Sequence, residues 1–150
     1  MKKHYGPRLK MLHCSTDQAI TSALAEMELT AAQGHILGYL AFRSEPPCPK
    51  DIEEAFHLSH PTVSGLLNRL EKKEFISICP DERDKRCKRI HLLPKGITCN
   101  EKMRDTIQTI ENRLVQDFTP EEQETFLQLL DRAIQNMGVQ HCRPFHKEEP

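Results

Sequence analysis

The sequence predicts a mainly α-helical fold with one small β-hairpin. Apolar residues recur at the three- and four-residue spacing of amphipathic helices along most of the 150-residue chain. Residues 75–93 instead hold two short runs of β-favouring residues on either side of a charged turn, which is the pattern of a hairpin. A chain of this length is expected to form one domain, here residues 1–150.

Two helices are predicted before residue 43. The first, residues 9–27, is only moderately amphipathic, and its apolar residues are Leu12, Ile20, Ala23, Leu24 and Met27. Thr30 and Gln33 have the spacing of a capping box, so they open the second helix, which runs to about Phe42. Its inward residues are Ile36, Leu37 and Leu40. Residues 44–49 contain three prolines and are expected to form a loop.

A helix–turn–helix is predicted next. A short amphipathic helix over residues 50–57 ends at Leu58–Ser59, and a second helix follows at once, from His60 to Lys73. Ser59 can act as the N-cap, and Pro61 falls in the first turn, where a missing N–H costs nothing. The buried face of the second helix is expected to contain Val63, Leu66, Leu67 and Leu70.

The opposite face of that second helix is small, polar or cationic, and this suits the major groove of DNA. It contains Pro61, Ser64, Gly65, Asn68, Arg69 and Lys72. A groove about 12 Å wide accepts short side chains and a few hydrogen-bonding ones. The predicted DNA-binding residues of this recognition helix are therefore His60, Pro61, Thr62, Ser64, Gly65, Asn68, Arg69 and Lys72. From the helices alone, an αα-hairpin used only for packing is the alternative.

The turn of the hairpin has three cations and three anions in the seven residues between its strands. Such a run can be a plain solvated turn. Because the turn follows the recognition helix closely, it can also reach the neighbouring minor groove, where narrow A·T-rich DNA attracts arginine. We predict that Arg83, together with Lys85, binds DNA there. Asp81 or Asp84 is expected to pair with Arg86 and to brace the turn.

Residues 29–96 resemble the MarR family of winged helix–turn–helix transcription regulators. The matching motifs are LTAAQ at residues 29–33, HPTVSGLLNRLEKK at 60–73, the wing DERDKR at 81–86 and LPKG at 93–96. The resemblance implies a winged helix–turn–helix with terminal helices that form a dimerisation region. It also implies an obligate homodimer on a pseudo-palindromic operator, released when a small ligand or an oxidant acts. By the same resemblance, Arg83 enters the minor groove while Asp84 and Arg86 brace the wing.

The chain departs from the family pattern at two positions. Glu74 stands where the family usually has a glycine, at the end of the recognition helix. A left-handed backbone there costs a non-glycine residue about 1 kcal/mol, unless the turn is built differently. Pro94 replaces a common threonine, so the next helix is expected to start with a proline rather than with a hydroxyl cap.

Charge is distributed unevenly along the chain, whose net charge is −1. Residues 68–95 hold nine cations and five anions, whereas residues 1–67 hold six and seven, and residues 96–150 hold six and ten. A local basic patch on an acidic body attracts phosphate where it is needed and limits indiscriminate binding elsewhere. The charge pattern therefore favours a DNA-binding surface over residues 68–95.

Two further helices are predicted after the hairpin. Residues 97–118 have helically spaced apolar residues at Met103, Ile107, Ile110, Leu114 and Val115. Thr119 and Pro120 open a second capping box and a helix that ends at Gly138, with expected buried residues Phe126, Leu129, Leu130, Ala133 and Met137. Because the end helices cannot cover their apolar faces within so small a body, a second copy is expected to cover them. We therefore divide the chain into a winged part (30–97), a dimerisation part (1–29 and 98–140) and a tail (141–150).

The first dozen residues lack an apolar run of seven or more, so neither a secretory nor a membrane-spanning segment is predicted. A cytoplasmic protein is expected, with its six cysteines as thiols. In a dimer, His13-Cys14 and His141-Cys142 have the side chains of a zinc site, and Cys79 and Cys87 can approach across the hairpin as a thiol switch. The simpler interpretation is that Cys14 packs as a small apolar residue and Cys142 lies in the tail. Neither a metal nor a cofactor is predicted.

Catalysis is not expected from this sequence. His57 and His60 lie near Ser59, but no glycine-rich elbow, oxyanion turn or third orienting acid accompanies them. The predicted function is transcription regulation by a homodimer that binds double-stranded DNA in a sequence-specific manner. It is expected to be a repressor that responds to an unidentified small-molecule effector. The alternative is a winged-helix module that binds protein without DNA. A protein-binding module would have exposed aromatic or aliphatic side chains on the outward face of this helix, whereas this sequence has Gly65 and Asn68 there.

Overall fold

Residues 4–138, which the computed structural model describes, form six helices and one two-stranded antiparallel sheet. The elements are α1 (Tyr5–Glu26), α2 (Ala31–Ala41), α3 (Pro49–Phe56), α4 (His60–Lys72), β1 (Ile76–Pro80), β2 (Lys88–Leu92), α5 (Pro94–Leu114) and α6 (Pro120–Asn136). These residues form two compact units, residues 4–107 and residues 108–138. The predicted mainly helical fold with a β-hairpin is confirmed.

Local sequence decides where several helices begin. The Thr30 hydroxyl accepts a hydrogen bond from the Gln33 amide at 3.3 Å, and the Gln33 side chain accepts one from the Thr30 amide at 3.0 Å. The predicted capping box therefore starts α2, and Thr119 starts α6 in the same way. α1 begins four residues earlier than predicted, because Pro7 lies in its first turn, where the amide has no helical partner in any case.

The core of the first unit fixes which face of α4 points outward. Val63, Leu67 and Leu70 are buried, as predicted, and Leu66 is half-buried against the same core. They pack with residues from α2, α3 and the hairpin, which include Leu37, Ile52, Ile76 and Ile90. Since this apolar face packs on the core of its own chain, the opposite face of α4 is left for another molecule.

The hairpin pairs β1 with β2 in a register that places Ile78 opposite Ile90 and Cys79 opposite Arg89. The sequence predicted strands over residues 75–78 and 87–93, so β1 is shifted towards the turn and β2 is one residue shorter at each end. The Ile90 amide also donates a hydrogen bond to the Pro47 carbonyl at 2.9 Å. This bond ties the base of the hairpin to the loop before α3.

Two backbone positions beside the hairpin show why the residues there matter. Gly96 is buried in the first turn of α5, and a Cβ on it would lie 2.4 Å from the Phe75 carbonyl oxygen. Glu74 has a φ of 62°, in the left-handed region, while the Phe75 amide closes the end of α4 on the Leu70 carbonyl at 3.0 Å. The expected strain at Glu74 is therefore present. α5 begins at Pro94, as expected.

α6 belongs to the second unit, in which the Phe118 and Phe126 rings meet edge to face at 5.6 Å. None of the residues of α6 is buried. The expected burial of Leu129, Ala133 and Met137 is therefore wrong for a single chain, where Leu129 is 54% and Met137 is 79% exposed. An apolar stripe on a surface helix is covered only when a second surface faces it. The predicted tail lies outside the described residues.

Candidate nucleic-acid interface

The outward face of α4 presents the predicted polar residues. Pro61, Asn68, Arg69 and Lys72 are exposed, as are His60 and Thr62, while Ser64 and Gly65 are half-buried. A Cβ added to Gly65 would meet nothing within 4 Å in the described part of the chain. Packing therefore does not require glycine there, although glycine costs a helix up to about 1 kcal/mol relative to alanine. Its presence favours the close approach of another molecule.

The start of α4 is tied to α3 by a contact that the sequence analysis missed. The His60 Nδ1 lies 2.6 Å from Glu53 Oε1, and the two side chains are 75% and 23% exposed. Ser59 occupies the N-cap position as predicted, but its hydroxyl pairs with the Thr62 hydroxyl at 2.9 Å rather than with a backbone amide. Glu53 was missed because it lies seven residues before His60, with a turn between them.

The two aspartates of the wing, residues 80–88, hold its turn through the backbone. Asp81 accepts a hydrogen bond from the Arg83 amide at 2.7 Å, and Asp84 accepts one from the Arg86 amide at 3.0 Å. These are the local side-chain-to-backbone bonds of Asx turns. They shape the turn while the side chains of Arg83 and Lys85 remain exposed.

The charged partner of Asp81 is Arg89, whereas Asp84 is joined to Arg86 through the Arg86 backbone amide. Arg89 Nε donates to Asp81 at 2.5 Å, and another nitrogen of its guanidinium donates to the Pro46 carbonyl at 3.2 Å. The register explains the contact, because Arg89 pairs with Cys79 and Asp81 lies two residues beyond Cys79, on the same face of the hairpin. The Arg89 hydrogen bond, followed by that of the Arg83 amide, lowers the pKa of Asp81 below its ordinary value.

A cleft of about 520 Å³ lies between the helix–turn–helix and the wing. Its helical wall includes Lys50 and Glu53 of α3 and His60, Ser64 and Asn68 of α4. The wing side contributes Ile78, Arg86, Cys87 and Lys88. The fold thus brings Ser64, Asn68 and Arg86 around one concave surface, whereas Arg69, Lys72, Arg83 and Lys85 do not line it.

The structure describes five of the six cysteines, and all five are free thiols. Cys79 faces Arg89, and Cys87 is joined to Asp81 by a backbone hydrogen bond of 2.8 Å, so Cys79 and Cys87 are not directly opposite each other in the hairpin. Cys14 is exposed rather than packed. Between residues 4 and 138, no three His, Cys, Asp or Glu side chains are grouped to hold a metal ion. His141 and Cys142 lie outside the described residues.

Together, α3, α4 and the hairpin define a winged helix–turn–helix with its polar helix face and its wing exposed. Within the described residues, every helix is too short or too polar to cross a membrane.

Comparisons with known proteins agree with this class. A model of the MarR family matches residues 27–86. A structure of Staphylococcus aureus MepR, a transcription regulator of the multidrug efflux pump MepA, is 30% identical, with a TM-score of 0.79 over 90% of this chain and 99% of that one. A MepR mutant bound to an oligodeoxyribonucleotide is 31% identical, with a TM-score of 0.73 over 91% and 99%. No curated protein matches the chain in sequence.

A regulator from Clostridium acetobutylicum, described as a putative MarR protein, is 24% identical with a TM-score of 0.75 over 89% of this chain and 98% of that one, a likeness of fold. The chain belongs to the MarR family. Members of this family are DNA-binding transcription regulators and not enzymes. The resemblance identified in the sequence is confirmed, and the chain is a DNA-binding transcriptional regulator.

Proposed function

We propose that the protein is a homodimeric repressor that reads a pseudo-palindromic operator with α4 and the wing. The observation that carries the proposal is the exposed polar face of α4 beside an exposed Arg83. The crystal structure of MepR with DNA supports it, since that protein is 30% identical to this chain. A dimer seated on an operator blocks access to the promoter beneath it. Such a regulator works in the cytoplasm, where the DNA is.

In the proposed complex, the residues of α4 divide between bases and phosphates. Ser64, Asn68 and Arg69 read base edges in the major groove, where an amide favours adenine and a guanidinium favours guanine. Lys72, near the end of the helix, contacts phosphate. Arg83 enters the adjacent minor groove, because the Asp81 and Asp84 hydrogen bonds hold the turn in shape beneath it. The two α4 helices of the dimer meet half-sites about one helical turn apart.

Exposed apolar residues at both ends of the chain support the homodimer. On α6, Leu127, Leu129, Ile134 and Met137 are each more than half exposed. On α1, Tyr5, Leu9 and Met11 are more than half exposed as well. We propose that a second copy covers both faces. Sedimentation at micromolar concentration is expected to give twice the 17.3 kDa mass of one chain. The double variant Leu129→Lys with Ile134→Lys should sediment as a monomer, whereas Gln135→Lys on the polar side of α6 should remain dimeric.

A second cleft is our candidate for the effector site. It has a volume of about 430 Å³ and lies between the end of α2, the base of the wing and the first half of α5. That volume falls in the range of small-molecule sites, roughly 300–1,000 Å³. Two arginines, Arg43 and Arg104, line the cleft, but only one acidic residue, Glu101, does. The excess of positive charge favours an anionic ligand. Because Ile90 and Leu92 line the cleft too, a ligand there would shift the wing relative to α5.

The function is tested by selecting duplexes from a random pool with the purified dimer and sequencing them. Enrichment of a palindromic site, bound much more weakly by Arg83→Ala, supports a sequence-specific regulator. Arg132→Ala removes the same charge from α6 and should bind like the parent protein. Weak, strongly salt-dependent binding with no enriched sequence, unaffected by Arg83→Ala, would overturn the proposal and favour the protein-binding module.

A further inference from the structure

We propose that Glu53 is a positioning residue, which holds the imidazole of His60 in the orientation that meets DNA. The inference rests on the proposed contact between α4 and DNA. The His60 Nδ1 and Glu53 Oε1 are 2.6 Å apart, the distance of a charge-assisted hydrogen bond. The Glu53 side chain is mostly covered, whereas that of His60 is 75% exposed. A fixed carboxylate on α3 therefore holds one edge of a ring whose other edge faces solvent.

This hydrogen bond decides what the exposed edge of the ring offers. With the Nδ1 proton donated to Glu53, the neutral imidazole presents Nε2 as an acceptor. The protonated imidazole presents Nε2–H as a donor, which suits a phosphate oxygen or the N7 and O6 of guanine. Without Glu53, the ring turns freely and either nitrogen can carry the proton. Glu53 thus makes His60 a single, oriented contact whose sense depends on protonation.

The position of Glu53 also needs an explanation, since an unpaired carboxylate beside a DNA-binding helix repels phosphate. Glu53 lines the same cleft as Ser64 and Asn68, and the first turn of α4 contains no acidic residue of its own. The charge of Glu53 weakens the affinity for DNA, whereas its hydrogen bond to His60 strengthens it. Removal of Glu53 therefore weakens binding if the bond to His60 matters more, and tightens binding if only the charge matters.

Three controls separate this role from simpler ones. Glu54 is the next residue on α3, lies 69% exposed in a 3.9 Å pair with Lys50, and does not line the cleft. Glu54→Gln therefore removes the same charge from the same helix without touching His60. His60→Ala removes the contact itself. Arg69→Ala tests whether α4 binds DNA at all, independently of His60.

The experiment measures the Kd for a fluorescent duplex, selected from a random pool by the parent protein, at one fixed pH and salt concentration. The other charged or titratable groups lining the cleft are Cys48, Lys50, Arg86, Cys87 and Lys88. Because these remain in every variant, a difference in Kd between variants reports the substituted side chain. Thermal unfolding of each variant shows that it is folded before its binding is compared.

We expect Glu53→Ala to weaken binding about tenfold, the equivalent of one charged hydrogen bond. Glu53→Gln, whose amide oxygen still accepts from Nδ1, should weaken binding less. In the His60→Ala background, Glu53→Ala should no longer weaken binding. Glu54→Gln should leave binding unchanged or slightly tighter.

Three results would overturn the inference. If Glu53→Ala binds as tightly as the parent protein or more tightly, Glu53 acts only as a repelling charge. If it weakens binding equally with and without His60, it only supports the packing of α3. Should His60→Ala have no effect while Arg69→Ala weakens binding, the role of Glu53 fails and DNA binding through α4 stands. If neither His60→Ala nor Arg69→Ala weakens binding to DNA, the proposed function itself is contradicted.

Discussion

Replacing Gly65 with alanine should stabilise the protein and weaken its binding to DNA. Gly65 lies inside α4, on the polar face, and a Cβ there would meet nothing within 4 Å in residues 4–138. The added methyl group therefore creates no clash in the free protein. In the proposed complex, the same methyl points towards the floor of the major groove, where the helix backbone approaches most closely.

The size of both effects follows from the structure. Alanine is favoured over glycine inside a helix by about 0.8–1 kcal/mol, and no steric term opposes it here. For a chain of this size, each 1 kcal/mol corresponds to about 2–4 °C in Tm. A methyl forced into a close-packed contact costs about 1–3 kcal/mol, so the affinity for DNA should fall by about tenfold or more.

The measurements are thermal unfolding at a fixed protein concentration and the Kd for the selected duplex. Gly38→Ala is the matched control, because Gly38 also lies inside a helix, α2, with nothing within 4 Å of an added Cβ. It should raise the Tm similarly and leave DNA affinity unchanged. If Gly65→Ala lowers the Tm, the open space described at this position is wrong. If it raises the Tm but binds DNA normally, α4 does not approach DNA through Gly65.

Three further predictions concern the wing, the end of α4 and a buried thiol. Arg89→Leu removes the hydrogen bonds to Asp81 and Pro46 that hold the wing in place. Tryptic cleavage within the wing should therefore become severalfold faster, and the affinity for DNA should fall. An unchanged cleavage rate would show that the ion pair does not hold the wing. Glu74→Gly relieves the left-handed strain of about 1 kcal/mol, although glycine also gives the unfolded chain more freedom. This substitution should therefore raise the free energy of unfolding by up to about 1 kcal/mol, whereas Glu74→Val should lower it. The explanation is wrong if denaturant unfolding shows the valine variant to be more stable than the glycine variant. Burial raises the pKa of the Cys99 thiol, so stability from this site is complete below the ordinary thiol pKa of about 8.5 and declines as the pH rises above it. Mass spectrometry after iodoacetamide treatment should find Cys99 modified far more slowly than the exposed Cys79, and equal rates would contradict the burial.

Features that depend on neighbours in sequence were predictable. The capping boxes at Thr30 and Thr119 need partners only three residues away, and the buried stripe of α4 needs only helical spacing. The left-handed residue at Glu74 was expected because the family usually has a glycine at this helix end. The outward polar face of α4 followed from the same periodicity.

Features that join distant segments were not predictable, because their energy depends on how separately formed elements are placed. The strand register set Arg89 rather than Arg86 beside Asp81, since a shift of one residue turns every side chain of a strand to its other face. The packing of α3 on α4 brought Glu53 to His60 across a turn. The exposure of Leu129 and Met137 depends on which surface faces α6, and α6 itself does not decide that. The sequence by itself therefore determined the helices, the outward face of α4 and the family, because these features depend on residues that are close together in the sequence. Only the tertiary structure decided which charges meet and which apolar faces stay open, because those contacts arise when elements pack.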